Sequence, residues 1–257
     1  MQIVLVMQDD PFYLPAVVER IARGRPDEIA AVVIPSVGSR SKRLSDMVTR
    51  SVSVYGPVGT LRQGARYLWS RVLDRVVPGG PARSVETAAQ HHGIPVAKPP
   101  SANDPSFLRW LSAAAPDVIA SVSAEEVFGR ELLSIPKLGC INVHSSMLPR
   151  YRGLYPSFWV LANGERQTGV TVHEMDTEID NGAILLQRPL PIDPDETQDS
   201  LLRKTKGVAA ELLLEAFDGL EKGGLVPAPN DPATGSYYGF PSRADVQRFR
   251  ARGRRFW

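Results

Sequence analysis

Short, unbroken apolar runs alternate with amphipathic stretches along most of this chain, and that rhythm sets the architecture. Ile3 to Met7 is apolar at every position, as a strand buried on both faces reads. Leu14, Val17, Val18 and Ile21 follow at helical spacing with Gly24 beyond them, and Ile29 to Ile34 is a second apolar run. Strand, helix and strand in close succession form a βαβ unit, which implies a parallel sheet with a right-handed crossover.

Residues 35–82 are less regular. Ser36 to Ser45 is polar and basic, with Arg40, Lys42 and Arg43, whereas Leu61, Ala65, Leu68, Val72 and Val76 recur at helical spacing. This stretch reads as an insertion made of a loop and one helix. The alternation then resumes. A helix is predicted over Val85 to His92, a strand over Ile94 to Ala97, and a helix opened by Pro105 over Phe107, Leu108 and Leu111. A strand over Asp117 to Val122, an acid-led helix over Ala124 to Leu133 and a buried strand over Cys140 to Val143 come next. Leu154 to Ala162 reads as a helix, and Val170 to Met175 and Ala183 to Leu190 as partnered strands. Thr197 to Leu220 is one long amphipathic helix closed by Gly223-Gly224. The expected fold is a doubly wound, Rossmann-like α/β domain with a mostly parallel sheet over 1–195, carrying the insertion at about 35–82. A closing helix and an Arg/aromatic tail occupy 196–257. Ligands of such sheets sit at the carboxyl ends of the strands.

Composition narrows the classes. The chain has 257 residues, 43% hydrophobic and 23% charged, enough for a sizeable core. Thirty basic against 28 acidic residues leave a formal charge of +2, so binding through a nucleic-acid backbone is not the default. A single cysteine, Cys140, excludes an intrachain disulfide framework and a cysteine zinc cage. The start, MQIVLVMQDD, has no basic region and too short an apolar run for a signal peptide or anchor, so a cytoplasmic protein without membrane contact is expected. The turn after the first strand, Met7-Gln8-Asp9-Asp10-Pro11, has no glycine, which argues against a dinucleotide site. Neither GxxxxGK[ST] nor GxSxG occurs, which removes a P-loop and a nucleophile elbow.

Polar residues stand out in two places. Asn142 and His144 are two apart on a buried strand, so both point to one face at its carboxyl end. Such a pair is costly unless hydrogen-bonded or at work. The second place is His173-Glu-Met-Asp-Thr-Glu-Ile-Asp-Asn-Gly182, where Asp180 precedes an Asn-Gly turn signal. Taken singly, Asn142 is a strand-end hydrogen-bonder, His144 and His173 are structural histidines, and the acids are a solvated turn. Taken together, a histidine and an aspartate on neighbouring loops are the usual parts for proton transfer. His144, His173 and Asp180 lack HExxH spacing, so no metal is expected.

These residues resemble the folate-dependent formyltransferase family, which includes glycinamide ribonucleotide, methionyl-tRNA and sugar-amine formyltransferases. Its hallmark is Asn-x-His-x-Ser-x-Leu-Pro, a Gly loop, and an Asp-x-Gly loop further on. Here these are Asn142-Val-His144-Ser-Ser146-Met-Leu148-Pro149, Tyr151-Arg152-Gly153 and Asp180-Asn-Gly182. The similarity is good over about 85–195 and loose over the N-terminal βαβ; Met147 stands where the family commonly has Leu. The resemblance implies the formyltransferase fold, 10-formyltetrahydrofolate as co-substrate, and a primary amine as acceptor. It makes Asn142, His144 and Asp180 catalytic, with Asn142 and a protonated His144 donating to the oxyanion. It sets the pterin against Ser123, Ala124, Glu125 and Val127 and against Met175, Asp176, Glu178 and Ile179. It turns Gln8, Asp9, Ser145, Ser146, Tyr151, Arg152 and Gly153 towards the acceptor, with Arg152 suited to a carboxylate or phosphate.

The tRNA-modifying members carry a C-terminal RNA-binding barrel of about 100 residues, the size of a small domain. Residues 221–257 do not hold one, which favours a small amine. The Arg residues of the tail, interleaved with Phe249, Phe256 and Trp257, read as a helix docking its aromatics rather than as a nucleic-acid surface. Gly153-Leu-Tyr-Pro-Ser-Phe-Trp159 and Asn163-Gly164-Glu165 look most like the sugar-amine members. An amino-sugar nucleotide is therefore the expected acceptor, with methionyl-tRNA and then glycinamide ribonucleotide behind it. A formyltetrahydrofolate hydrolase and a non-catalytic folate-binding protein stay open as readings of another class, and a homodimer stays open as the assembly.

Overall fold

A computed structural model describes residues 1–36, 40–77 and 79–257, with the backbone alone at 40–45. Its elements begin with β1 (Ile3–Met7), α1 (Leu14–Gly24), β2 (Ile29–Val33) and α2 (Arg40–Val76). They continue with α3 (Val85–His91), β3 (Val96–Ala97), α4 (Pro105–Ala114), β4 (Val118–Val122), α5 (Arg130–Leu133) and β5 (Cys140–His144). Then come β6 (Arg152–Gly153), α6 (Pro156–Ala162), β7 (Gln167–Glu174), β8 (Ile184–Pro191) and α7 (Gln198–Lys222). A 3-10 turn (Pro232–Thr234), β9 (Tyr237–Tyr238) and α8 (Arg243–Ala251) complete the tail.

The seven-stranded sheet runs β3-β2-β1-β4-β5-β7-β8. Pairing is parallel from β3 to β5 and antiparallel from β5 through β8. Alternation along β1 divides the core. Ile3, Leu5 and Met7 pack with α1, α3 and α7 on one face, while Val4 and Val6 pack with Phe107, Leu111, Phe128 and Leu132 on the other. The long helix α7 enters the first of these cores through Ala209, Leu213, Ala216 and Phe217. Its ends fall at the sequence signals. Thr197 and Ser200 form a capping box, and Gly223 takes the left-handed conformation at the other end.

Two expectations change. The helix anticipated over Ala124 to Leu133 shrinks to Arg130–Leu133. One of its acids serves another end: Glu126 accepts from the Ala102 N–H (2.6 Å), and Asn103 from outside the segment ties both Val127 O (2.9 Å) and the Gly129 N–H (2.6 Å). The chain from 123 to 129 is therefore a pinned loop. The insertion is more helical than anticipated. Its backbone is helical from Arg40 to Val76, broken at Gly56 (φ 74°, ψ 172°) just before Pro57. Part of the anticipated Ser36–Ser45 loop, residues 37–39, lies outside the described residues.

The tail docks by its aromatics. Phe249 stacks on Phe158 of α6 with centroids 5.0 Å apart, and Phe256 stacks on Phe249 at 4.8 Å. The last residues also cap α7, with Arg255 O and Phe256 O accepting from the Gln198 and Asp199 N–H groups, each at 3.0 Å. No described helix is long and apolar enough to cross a membrane.

Candidate active site

The carboxyl ends of β1, β4 and β5 converge at the loop that follows β7. Asn142 and His144 sit on one face of β5, and the pairing of Asn142 with His173 across β5–β7 brings the second histidine alongside. Asp180 reaches the same place from the β7–β8 loop. Its Oδ2 is 3.5 Å from His144 Nδ1, and its Oδ1 is 3.4 Å from Asn142 Nδ2 and 3.6 Å from His173 Nε2. Asp180 holds a positive φ of 50°, a conformation Asp tolerates better than most residues.

Carbonyl partners fix the tautomers. His144 Nε2 is 2.7 Å from Tyr151 O, and a carbonyl only accepts, so Nε2 carries the hydrogen and Nδ1 is the free lone pair. His173 Nδ1 lies 2.6 Å from Glu174 O, so its Nε2 is the acceptor and takes a hydrogen bond from Asn142 Nδ2 at 3.0 Å. Both Asn142 amide hydrogens thus point inside the cluster. The expected protonated His144 does not describe the resting site either. Burial pushes this imidazole below its ordinary range, and the nearby Lys206 ammonium pushes the same way, against the pull of Asp180. Burial alone would raise Asp180, but positive charge on His144 and the Gly153 N–H (2.8 Å) pull its carboxyl below the ordinary range. A neutral His144 pulls less on Asp180 than an imidazolium would. The Gly153 bond persists in either state and favours the ionised carboxylate. At neutral pH the site therefore holds a carboxylate beside an unprotonated Nδ1.

Several other expected residues are engaged within the fold. Ser146 Oγ donates to Arg150 O (2.9 Å) and is fully buried. The Tyr151 side chain is buried too; its hydroxyl donates to Glu165 (2.7 Å) and its ring stacks on Tyr238. Arg152 donates from Nε (3.1 Å) and Nη2 (2.7 Å) to Ile179 O, which braces the Asp180 loop. Ser145 is buried. Asp9 is ion-paired to Arg71 through Oδ2, while its Oδ1 is buried without a partner; Gln8 is half-buried beside it. On the expected pterin side, Asp176 folds into its own turn, accepting from the Glu178 N–H (2.8 Å) and Asn181 Nδ2 (2.9 Å). Met175 instead lines a cavity of about 230 Å³ at the far, amino end of β5, together with Gly139, Cys140 and Leu185. Ala124, Glu125 and Val127 follow Ser123 along the pinned loop.

Three residues that the sequence reading passed over belong here. Lys206 on α7 is buried, and its Nζ donates to Ser123 Oγ at 2.7 Å. Desolvation draws this amine down to about 8, only partly opposed by Asp10. A lysine in helical phase with the buried Ala209 and Leu213 was the available signal. Asp10 accepts from the Phe12 (2.6 Å) and Tyr13 (2.9 Å) N–H groups and, largely through burial, has its carboxyl raised. Asn230 in the tail donates to Asp180 O (3.0 Å) and Gly182 O (2.9 Å); nothing in its sequence neighbourhood marked it. Among the described residues, no three His, Cys, Asp or Glu side chains are grouped to hold a metal ion.

Known proteins are similar to this chain. A family model described as formyl transferase matches residues 72–217. The methionyl-tRNA formyltransferase of Synechococcus sp. (strain JA-3-3Ab) is 46% identical over 160 residues, covering 62% of this chain and 50% of that protein. The chain spans about half the length of the curated relatives it matches. Among solved structures, glycinamide ribonucleotide transformylase 1 from Symbiobacterium toebii superposes with a TM-score of 0.62 at 19% identity, over 90% of this chain and 94% of that one. The N-formyltransferase from Helicobacter canadensis, solved with folinic acid and dTDP-3-aminofucose, gives 0.58 at 18% identity, over 93% of this chain and 71% of that one.

Proposed function

This chain belongs to the formyl transferase family, and from that premise we propose that it moves a formyl group from 10-formyltetrahydrofolate to the primary amine of a small acceptor. The observation that carries the reading is His144 Nδ1, 3.5 Å from the Asp180 carboxylate and beside Asn142 at the carboxyl edge of the sheet, with Nε2 tied to Tyr151 O. An amine that forms an amide must lose a proton, and His144 Nδ1 can take it. Asp180 Oδ2 then stabilises the resulting imidazolium and holds its orientation. Asn142 can turn one amide hydrogen from its long 3.4 Å contact with Asp180 towards an oxygen gathering charge.

The donor, when bound, supplies a formyl group on its N10; as the amine–formyl bond forms the formyl–N10 bond breaks, and the proton His144 takes from the amine balances the one N10 needs to leave as a secondary amine. The residues present fit its pterin. The 123–129 and 175–182 loops offer backbone groups at the sheet edge, and Asn181 Oδ1 is buried without a partner among the described residues, an acceptor left for a ligand's donor. Ser123, Ala124, Glu125 and Val127 on one loop, and Asp176, Glu178 and Ile179 on the other, would hold the ring.

For the acceptor, an amino-sugar nucleotide is the first reading. Its support is the 153–165 sequence and a cavity of about 310 Å³ beside the turn after β1. Phe12, Arg66, Trp69, Arg83 and Arg203 line that cavity, which suits a phosphate and a flat base. Formylation of methionyl-tRNA is the second reading, favoured by the 46% identity to a methionyl-tRNA formyltransferase. One assay separates them: product formation from the formyl donor with amino-sugar nucleotides in one arm and methionyl-tRNA in the other. Calorimetry with folinic acid tests the donor, and no binding at millimolar concentration would sink the folate reading.

A further inference from the structure

The second half of α2, Pro57 to Val76, is amphipathic in the wrong sense for a surface helix. Its polar side faces the domain. Arg66 lies 3.6 Å from Asp199, Arg71 pairs with Asp9, and Asp74 accepts from Ser84 Oγ (2.6 Å) and Thr87 Oγ1 (2.7 Å). Its apolar side faces out. Val58 is 82% exposed, Leu61 75%, Leu68 65% and Val76 64%, with Val72 and Ala65 exposed between them. A lone surface helix does the reverse, because apolar area left in water forfeits roughly 25 cal/mol per Å².

The spacing points to what covers this stripe. Positions 58, 61, 65, 68 and 72 follow alternating steps of three and four, the seam of two packed helices, with Val, Leu, Ala, Leu and Val in order. We propose that this stripe packs against the same stripe of a second copy of the chain, antiparallel and twofold about Ala65. The centre suits a close crossing. Ala65 is small, and no atom lies within 4 Å of where a Cβ on Gly64 would stand.

Charge chooses the direction. Arg62 and Arg75 flank the seam on opposite sides, Arg62 resting on the Trp257 ring and Arg75 making no ion pair among the described residues. In a parallel pair each arginine would face its own copy. In the antiparallel pair centred on Ala65, Arg62 falls opposite Leu68 and Arg75 falls past the Gly56 break that ends the partner's helix, so the like charges separate. The stripe offers roughly 500–600 Å² of exposed apolar surface, most of the about 800 Å² that each partner gives up in a standard interface.

Sedimentation of the full chain tests this. A dimer is expected across the micromolar range, and the double variant Leu61→Glu, Leu68→Glu should be a monomer with unchanged circular dichroism, since both positions are exposed within one chain. Cys140 is buried, so introduced thiols report alone. Mild oxidation should link Ala65→Cys to its own copy and leave Val58→Cys unlinked. A monomeric wild type, a dimer that survives both glutamates, or linking of Val58→Cys but not Ala65→Cys would overturn the proposal. Binding of a monomeric wild type to phosphatidylglycerol vesicles would assign the stripe to a lipid surface instead.

Discussion

His144 donates from Nε2 to the carbonyl oxygen of Tyr151 across 2.7 Å, and that one bond decides which nitrogen is left for chemistry. A carbonyl cannot donate back, so the base is Nδ1, the atom 3.5 Å from Asp180. The Tyr151 loop is itself held by the tail. The Tyr151 N–H donates to Ser236 Oγ (2.9 Å), and β6 pairs with β9. The tautomer of the histidine thus depends on residues more than eighty positions away.

Replacing that base should stop the reaction without unfolding the chain. His144→Ala and Asp180→Ala should each lower kcat by about a thousandfold or more, in the range for a lost proton-transfer group or charge partner. The double variant should lose little beyond the worse single, because the two act as a unit. Single-turnover rates with the preferred amine check this; wild-type turnover in either variant contradicts the assignment.

The acid limb of kcat/KM should lie below the ordinary imidazole range, because burial lowers His144. Two charges then act on the limb with opposite signs. Asp180→Asn removes an anion that favours the imidazolium, so the limb should move further down. Lys206→Met removes a cation that disfavours it, so the limb should move up. A pH series on the three proteins reads both signs; limbs that shift together, or not at all, count against His144 as the titrating base.

Asn230 should matter for rate although it touches neither reactant in this scheme. Its amide satisfies two carbonyls of the Asp180 loop, and each buried carbonyl left bare costs about 1–3 kcal/mol. Asn230→Ala should lower kcat about tenfold or more with the donor KM little changed. Asn230→Asp should do no better, because a carboxylate cannot donate. If kcat is unmoved while thermal stability falls, Asn230 is structural only.

Gly153 joins three demands at one position. Its φ is +92°, its N–H holds Asp180, and a Cβ there would stand 2.4 Å from Tyr238 O. Gly153→Ala should cost about 2–4 kcal/mol, combining backbone strain with a forced shift of β9. Chemical denaturation measures it, and a cost below about 1 kcal/mol would show that the tail yields easily.

Arg83 should report on the acceptor. It lines the cavity beside Phe12 and lies outside the His144 cluster. Arg83→Ala should raise KM for a phosphate-bearing amine about tenfold and leave kcat near wild type, as loss of uniform binding does. An unchanged KM would remove the cavity from acceptor binding.

The sequence by itself determined the sheet, the ends of its long helix and the three residues at its carboxyl edge. Apolar runs, a Thr197 cap, a Gly223 stop and an Asn-x-His step on a strand are local signals, readable wherever they occur. It also exposed the helical spacing of Leu61 to Val76, but not that this face would point outward, since periodicity records a stripe and not what lies across from it. Only the tertiary structure decided which histidine nitrogen is free, that Arg152 braces a loop, and that Lys206 and Asn230 belong to the site. Those facts are hydrogen bonds and buried charges between residues far apart in the chain. Their energies depend on distance and desolvation, which exist only once the strands have paired and the tail has folded back over them.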